Sequence, residues 1–122
     1  MLWLLAHAAK LTEMNNDGTT ALLVAALNGH LETVQWLLAH GASLTEKDND
    51  GDTALLLAAL NGKLETVQWL LSHGARLTEK NNHGNTALLL AAWNGHLETV
   101  QWLVSKGAKL TEKNNDGKAA LL

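Results

Sequence analysis

The densest set of potential ligands in this chain is Asp48, Asp50 and Asp52, which alternate with Asn49 and Gly51. Alternating carboxylates around a glycine are how a calcium-binding loop begins. Such a loop also needs a bidentate Glu at its twelfth position, and counting from Asp48 that position is Ala59, inside an apolar run. The three acids therefore read as solvated turn residues. The six histidines offer metal ligands, but His7, His40 and His73 simply recur every 33 residues. His30 and His96 share a second position, where the middle copy carries Lys63. A ligand set that one copy replaces by lysine is not a site, and no H-E-x-x-H pair occurs. Histidine near a helix C-terminus is better placed to interact with the terminal carbonyls. The acids Glu32, Glu65 and Glu98 are also copies of one another. Catalysis needs a unique constellation in a pocket, which strict copying does not supply. No phosphate-binding loop or nucleophile elbow is present. The expectation is no catalytic residue, no metal and no cofactor.

Composition narrows the classes further. The 122 residues are 47% hydrophobic and 17% charged, as in a chain that buries a core. The net charge of −3 argues against a general nucleic-acid surface, which needs a basic excess. Without cysteine there is no disulfide framework, thiolate zinc site or thiol nucleophile. The longest apolar runs, Ala21 to Leu27, Ala54 to Leu60 and Ala87 to Trp93, fall well short of the roughly 20 residues that span a bilayer. Met1 to Ala9 is apolar but lacks a basic region before it and a cleavage site. A soluble, cytoplasmic-type protein is expected. Proline, cysteine, phenylalanine and tyrosine are absent, while tryptophan occurs five times. Such a vocabulary points to few independent choices used repeatedly.

The repetition is explicit. Gly18, Gly51, Gly84 and Gly117 are 33 apart, as are Trp3, Trp36, Trp69 and Trp102. Asn15–Lys47 and Asp48–Lys80 agree at 27 of 33 positions, and Asp48–Lys80 and Asn81–Lys113 at 25 of 33. The chain thus divides into a partial unit over 1–14, full units over 15–47, 48–80 and 81–113, and a partial unit over 114–122, all in one domain. Within the first full unit, Asn16-Asp17-Gly18 forms a turn. Thr20 stands where an N-cap hydroxyl belongs, and Ala21 to Leu27 follows as a short apolar helix. Asn28-Gly29 stops that helix. His30-Leu31-Glu32 opens a second, with Glu32 at its positive end. Leu31, Val34, Leu37 and Leu38 share one face at helical period, and Gly41 ends the helix. Leu44-Thr45-Glu46-Lys47 leads to the next turn. A helix pair this small cannot bury its own apolar faces, so neighbours must stack.

A 33-residue unit of turn, helix, turn, helix and loop resembles the ankyrin repeat. The middle unit carries that pattern in Asp48, Gly51, Thr53, Leu55, Ala58, Ala59, Gly62, Leu64, Glu65, Val67, Leu70, Leu71, Gly74 and Ala75. Three features depart from it. Ala21, Ala54 and Ala87 stand for the family's proline, and Leu23, Leu56 and Leu89 for its histidine. The family's D-V-N-A segment has become Leu-Thr-Glu-Lys, preceded by Ser43, Arg76 or Lys109. Leucine is expected to replace the histidine's hydrogen bonding by contact area. The resemblance implies an all-α ankyrin-repeat solenoid of stacked helix-turn-helix units joined by β-turn fingers. It also implies a protein–protein interaction module or scaffold without catalysis.

In the family, partners bind the concave groove and the finger tips. The groove positions here are Leu27, Leu60 and Trp93, each followed by Asn28, Asn61 or Asn94. The row reads either as an exposed apolar stripe that partners contact or as scaffold packing. The finger tips differ between units at Asp17 and Thr19, Asp50 and Asp52, and His83 and Asn85. Trp36, Trp69 and Trp102 read as packing between units, each burying on the order of 150–250 Å². The alternative function is an engineered structural or self-assembling repeat protein without a natural partner. The near-identical units resemble a designed or consensus array. Association would then run through apolar ends that include Trp3, Leu5, Leu121 and Leu122. Ala8 stands where the other units have the helix-stopping glycine.

Overall fold

A computed structural model of the chain describes residues 13–120. Six helices follow one another among the described residues: α1 (Ala21–Leu27), α2 (Leu31–Ala39), α3 (Ala54–Leu60), α4 (Leu64–Ser72), α5 (Ala87–Trp93) and α6 (Leu97–Ser105). They form three helix pairs, and the first helices stack on one another, α1 on α3 on α5. No described helix is long and apolar enough to cross a membrane.

Local chemistry explains the helix ends. Thr20, Thr53 and Thr86 precede the first helices in an extended conformation, each accepting through its side chain from an amide three residues on. This leaves one fewer unpaired donor at each helix start. Asn28, Asn61 and Asn94 end these helices. The second helices have no side-chain N-cap, but Glu32, Glu65 and Glu98 lie in their first turns, facing the positive end of the helix dipole. In the fingers, Gly51 has φ +80, and an added Cβ would lie 2.9 Å from the amide nitrogen of Asn82. A backbone atom cannot move aside as a side chain can, so both conformation and space demand glycine there.

The core runs along the stack. Leu22, Leu23, Leu55, Leu56, Leu88 and Leu89 from the first helices are buried, with Val34, Leu37, Val67, Leu70 and Leu103 from the second. The leucines in place of the family's histidine, Leu23, Leu56 and Leu89, are 0% exposed, so contact area does replace a polar side chain. The tryptophans pack less simply than the repeat pattern predicts. Trp36 and Trp69 are half-buried against the core. Each stacks on a histidine four residues later, His40 or His73, with ring centroids 3.9 Å apart. Trp102 instead lies beneath the ammonium of Lys106, 5.6 Å from the ring centre. His40 and His73 also donate from Nδ1 to the carbonyls of Trp36 and Trp69 at 2.8 Å, because a carbonyl can only accept. The expected role of helix-terminal histidine is thereby realised, and the same residues stack on the tryptophans as well. Trp3 and His7 lie outside the described residues.

One contact closes each unit. Thr20 Oγ1 donates to Glu46 Oε1 at 2.6 Å, Thr53 to Glu79 at 2.6 Å, and Thr86 to Glu112 at 2.7 Å. The second carboxylate oxygen accepts from the amide of Ser43, Arg76 or Lys109 at 2.9 to 3.0 Å. The threonine hydroxyl therefore caps a helix as acceptor while tying the unit's final loop to that helix as donor. Thr53→Val keeps the shape and removes both bonds. It is expected to lower unfolding stability by about 1–3 kcal/mol, with Thr53→Ser retaining most of it. Urea unfolding at neutral pH measures this, and an unchanged midpoint in the valine variant would remove the clamp from the account.

Candidate functional site

The fingers are built from one asparagine or aspartate per unit. Asp48 Oδ1 accepts from the amides of Asp50 at 3.0 Å and Asp52 at 2.9 Å. Asn15, Asn81 and Asn114 do the same in their fingers. The next residue joins one finger to the one before it. The Asn49 amide donates to the Asp17 carbonyl at 2.9 Å, and its Nδ2 to the Asn16 carbonyl at 3.0 Å. Asn82 repeats this on Asp50 and Asn49, and Asn115 on His83 and Asn82. The carbonyls of Asp17, Asp50 and His83 are thus bound to the next finger. Their side chains are exposed at the tips, while Thr19, Asp52 and Asn85 are half-buried behind them.

The inner row is uneven. Leu27 and Leu60 are partly buried and pack against the core, whereas Trp93 is 36% exposed. The Trp93 indole donates from Nε1 to the Ala119 carbonyl at 3.3 Å, so one edge of the ring is fixed to the following segment. Asn61 donates from Nδ2 to the Leu27 carbonyl at 2.9 Å, joining two units. Asn28 and Asn94 donate instead to carbonyls of their own helices, those of Val24 and Leu90. The twelve candidate residues therefore fall into two zones, finger tips and first-helix ends, with Trp93 as the exposed aromatic of the second.

Two features escaped the sequence reading. His96 donates from Nε2 to the Leu60 carbonyl of the preceding unit at 2.8 Å. Lys63, its counterpart, lies over Gly29, where an added Cβ would meet its Cδ at 2.7 Å. This position covers the preceding helix stop, which a histidine or a lysine stem can do. The recurrence of asparagine at positions 16, 49, 82 and 115 was the visible sign of the finger ladder.

The acidic triplet sits together in the second finger, with a carboxylate oxygen from each of Asp48, Asp50 and Asp52 within 4.8 Å of one another. Asp48 has one oxygen engaged by two backbone amides, as a turn requires. Burial pushes the Asp52 carboxyl above the usual carboxylate range. Asp48 and Asp50 push the same way, and a 3.0 Å bond from Asn81 Nδ2 opposes them. The equivalent Asn85 has its Oδ1 buried without a hydrogen-bond partner.

A raised carboxyl in the fold means that ionisation is harder there than in the unfolded chain. The resulting cost is present once Asp52 is ionised and vanishes below the unfolded carboxylate range. Asp52→Asn, which copies the third unit, is expected to raise the urea midpoint at about pH 7 and to match the parent at about pH 3. A gain that is equal at both ends of that range would assign the effect to something other than charge.

Comparison with curated protein sequences finds no match. A family model described as ankyrin repeats in three copies matches residues 44–114, and one described as ankyrin repeats in many copies matches residues 4–58. Ankyrin repeats are generally protein–protein interaction modules and are typically non-catalytic. With these matches and the stacked helix pairs, the chain belongs to the ankyrin-repeat family.

Proposed function

We propose that the chain is a single non-catalytic domain that binds a protein partner through its finger tips and first-helix ends. The observation that carries this reading is Trp93. It is the one position of its row where the repeat is broken in favour of a large aromatic, and that aromatic is exposed. Tryptophan is enriched among the few interface residues that dominate binding energy. The variable tips Asp17, Asp50 and His83 supply the polar contacts, each held by a backbone bond to the next finger. A rigid row of this kind loses little entropy when a partner docks.

The test is retention of a partner by the immobilised chain and by two variants, Trp93→Ala and Asp50→Lys/His83→Glu. A partner of this surface is lost roughly tenfold or more by at least one variant while circular dichroism and unfolding are unchanged. An interactor retained equally by all three overturns the surface assignment.

A second reading is favoured by the apolar residues exposed on α6 and the loop after it. Leu97 is 65% exposed, Val104 36% and Leu110 40%. The counterparts of Val104 and Leu110, namely Leu38, Leu71, Leu44 and Leu77, are only partly exposed and pack against the core. A second copy of the chain has the matching surface, because every unit already packs on its own likeness. Trp3, Leu5, Leu121 and Leu122, the end residues singled out from the sequence, lie outside the described residues. Sedimentation across a concentration series is expected to show assembly that Leu97→Lys/Val104→Lys abolishes. A monomer at every concentration would sink self-association.

A further inference from the structure

On the second-helix side of the stack, a groove of about 490 Å³ separates the 48–80 and 81–113 units. Its floor and walls are Leu71, Ala75, Leu77 and the indole of Trp102. Arg76 and Lys106 also line it, and both are exposed. Its size lies in the range of about 300–1,000 Å³ typical of ligand sites.

The cations are particular to this one junction. At the position of Arg76 the first unit has Ser43, and at the position of Lys106 the earlier units have His40 and His73. At the preceding junction the corresponding pair is therefore Ser43 and His73, with His73 lying flat on Trp69. At this junction the Lys106 ammonium is held over Trp102 instead, which leaves a full charge above an apolar wall. The nearest acid in sequence to Arg76 is Glu79. Its oxygens are engaged by the Thr53 hydroxyl and the Arg76 amide, and it lines the adjacent groove beside Thr53. Neither cation makes an ion pair among the described residues. Two unneutralised cations over an apolar floor, in a chain whose net charge is −3, make a local reversal of sign.

We propose that this groove is a second binding site, separate from the fingers and Trp93, for an acidic peptide segment with large apolar side chains. The apolar side chains fill the space between Leu71, Leu77 and Trp102. Carboxylates beside them meet Arg76, whose guanidinium can hold them bidentately, and Lys106. Because the cations are exposed, the charge contribution weakens with salt while the apolar contribution does not.

The test uses a labelled peptide of alternating Glu and Leu, its Lys-Leu counterpart, and the double variant Arg76→Ser/Lys106→His. These replacements are residues that other units already carry at the same positions, so the fold is preserved. The acidic peptide is expected to bind the parent, with amide shifts centred on residues 71–78 and 102–106, and the basic peptide is not. The double variant should bind at least tenfold more weakly, a loss of about 1.4 kcal/mol. Trp93→Ala should bind as the parent does. Absence of binding to the parent, equal binding by the double variant, or shifts centred on the fingers would each overturn the site.

Discussion

Every unit in this chain must pack against a copy of itself, and that constraint governs the rest of the structure. A side chain is judged twice, once for what it presents to the following unit and once for what it accepts from the preceding one. Gly51 makes room for Asn82, while Asn49 occupies the same relation to Gly18. Leu55 is buried because the same apolar helix lies on each side of it, α1 before and α5 after. A short helix with almost no polar face, such as α3, is tolerable only in this setting, since neighbours replace the solvent on each flank. The threonine–glutamate clamp meets a related need. A unit that stacks on others must first hold its own final loop against its own first helix, and Thr53 with Glu79 does so through one hydroxyl and one carboxylate.

Where copying is strict, the residues serve the scaffold; where it is broken, they are free to serve recognition. Lys63 and His96 show that not every difference is functional, because both cover the preceding helix stop. Trp93, the tips Asp50 and His83, and the pair Arg76 and Lys106 are different. None is required by the stacking, since the equivalent positions hold other chemistry in units that fold alike. Arg76 and Lys106 line the groove between α4 and α6, whereas Trp93 ends α5 and the tips lie in the fingers.

The helices were legible because their signals are local. Thr20, the run from Ala21 to Leu27, and Asn28-Gly29 state a start, a body and a stop within ten residues, and α1 has those bounds. The contacts that organise the units were not legible, because their partners lie far along the chain. Thr53 and Glu79 are 26 apart, Asn61 and Leu27 34, and His96 and Leu60 36. Periodicity shows that such residues recur without showing what they touch. The tryptophans illustrate the limit. Their period implied contact between units, yet Trp36 and Trp69 spend a ring face on a histidine four residues away in sequence. For the candidate site, the sequence singled out Trp93 by its departure from the row, but not the bond that fixes its indole edge to Ala119.

The finger ladder has a direction. Asn49, Asn82 and Asn115 always donate backward, to carbonyls of the finger before them, and none of these bonds runs the other way. The array is therefore polar, like a row of hooks and eyes. The finger at 114–117 offers the carbonyls of Asn115 and Asp116, the equivalents of groups that accept elsewhere. Two such fingers brought together by a two-fold axis would set acceptor against acceptor. Translation alone matches donors to acceptors, so any growth through the fingers must keep every unit facing the same way.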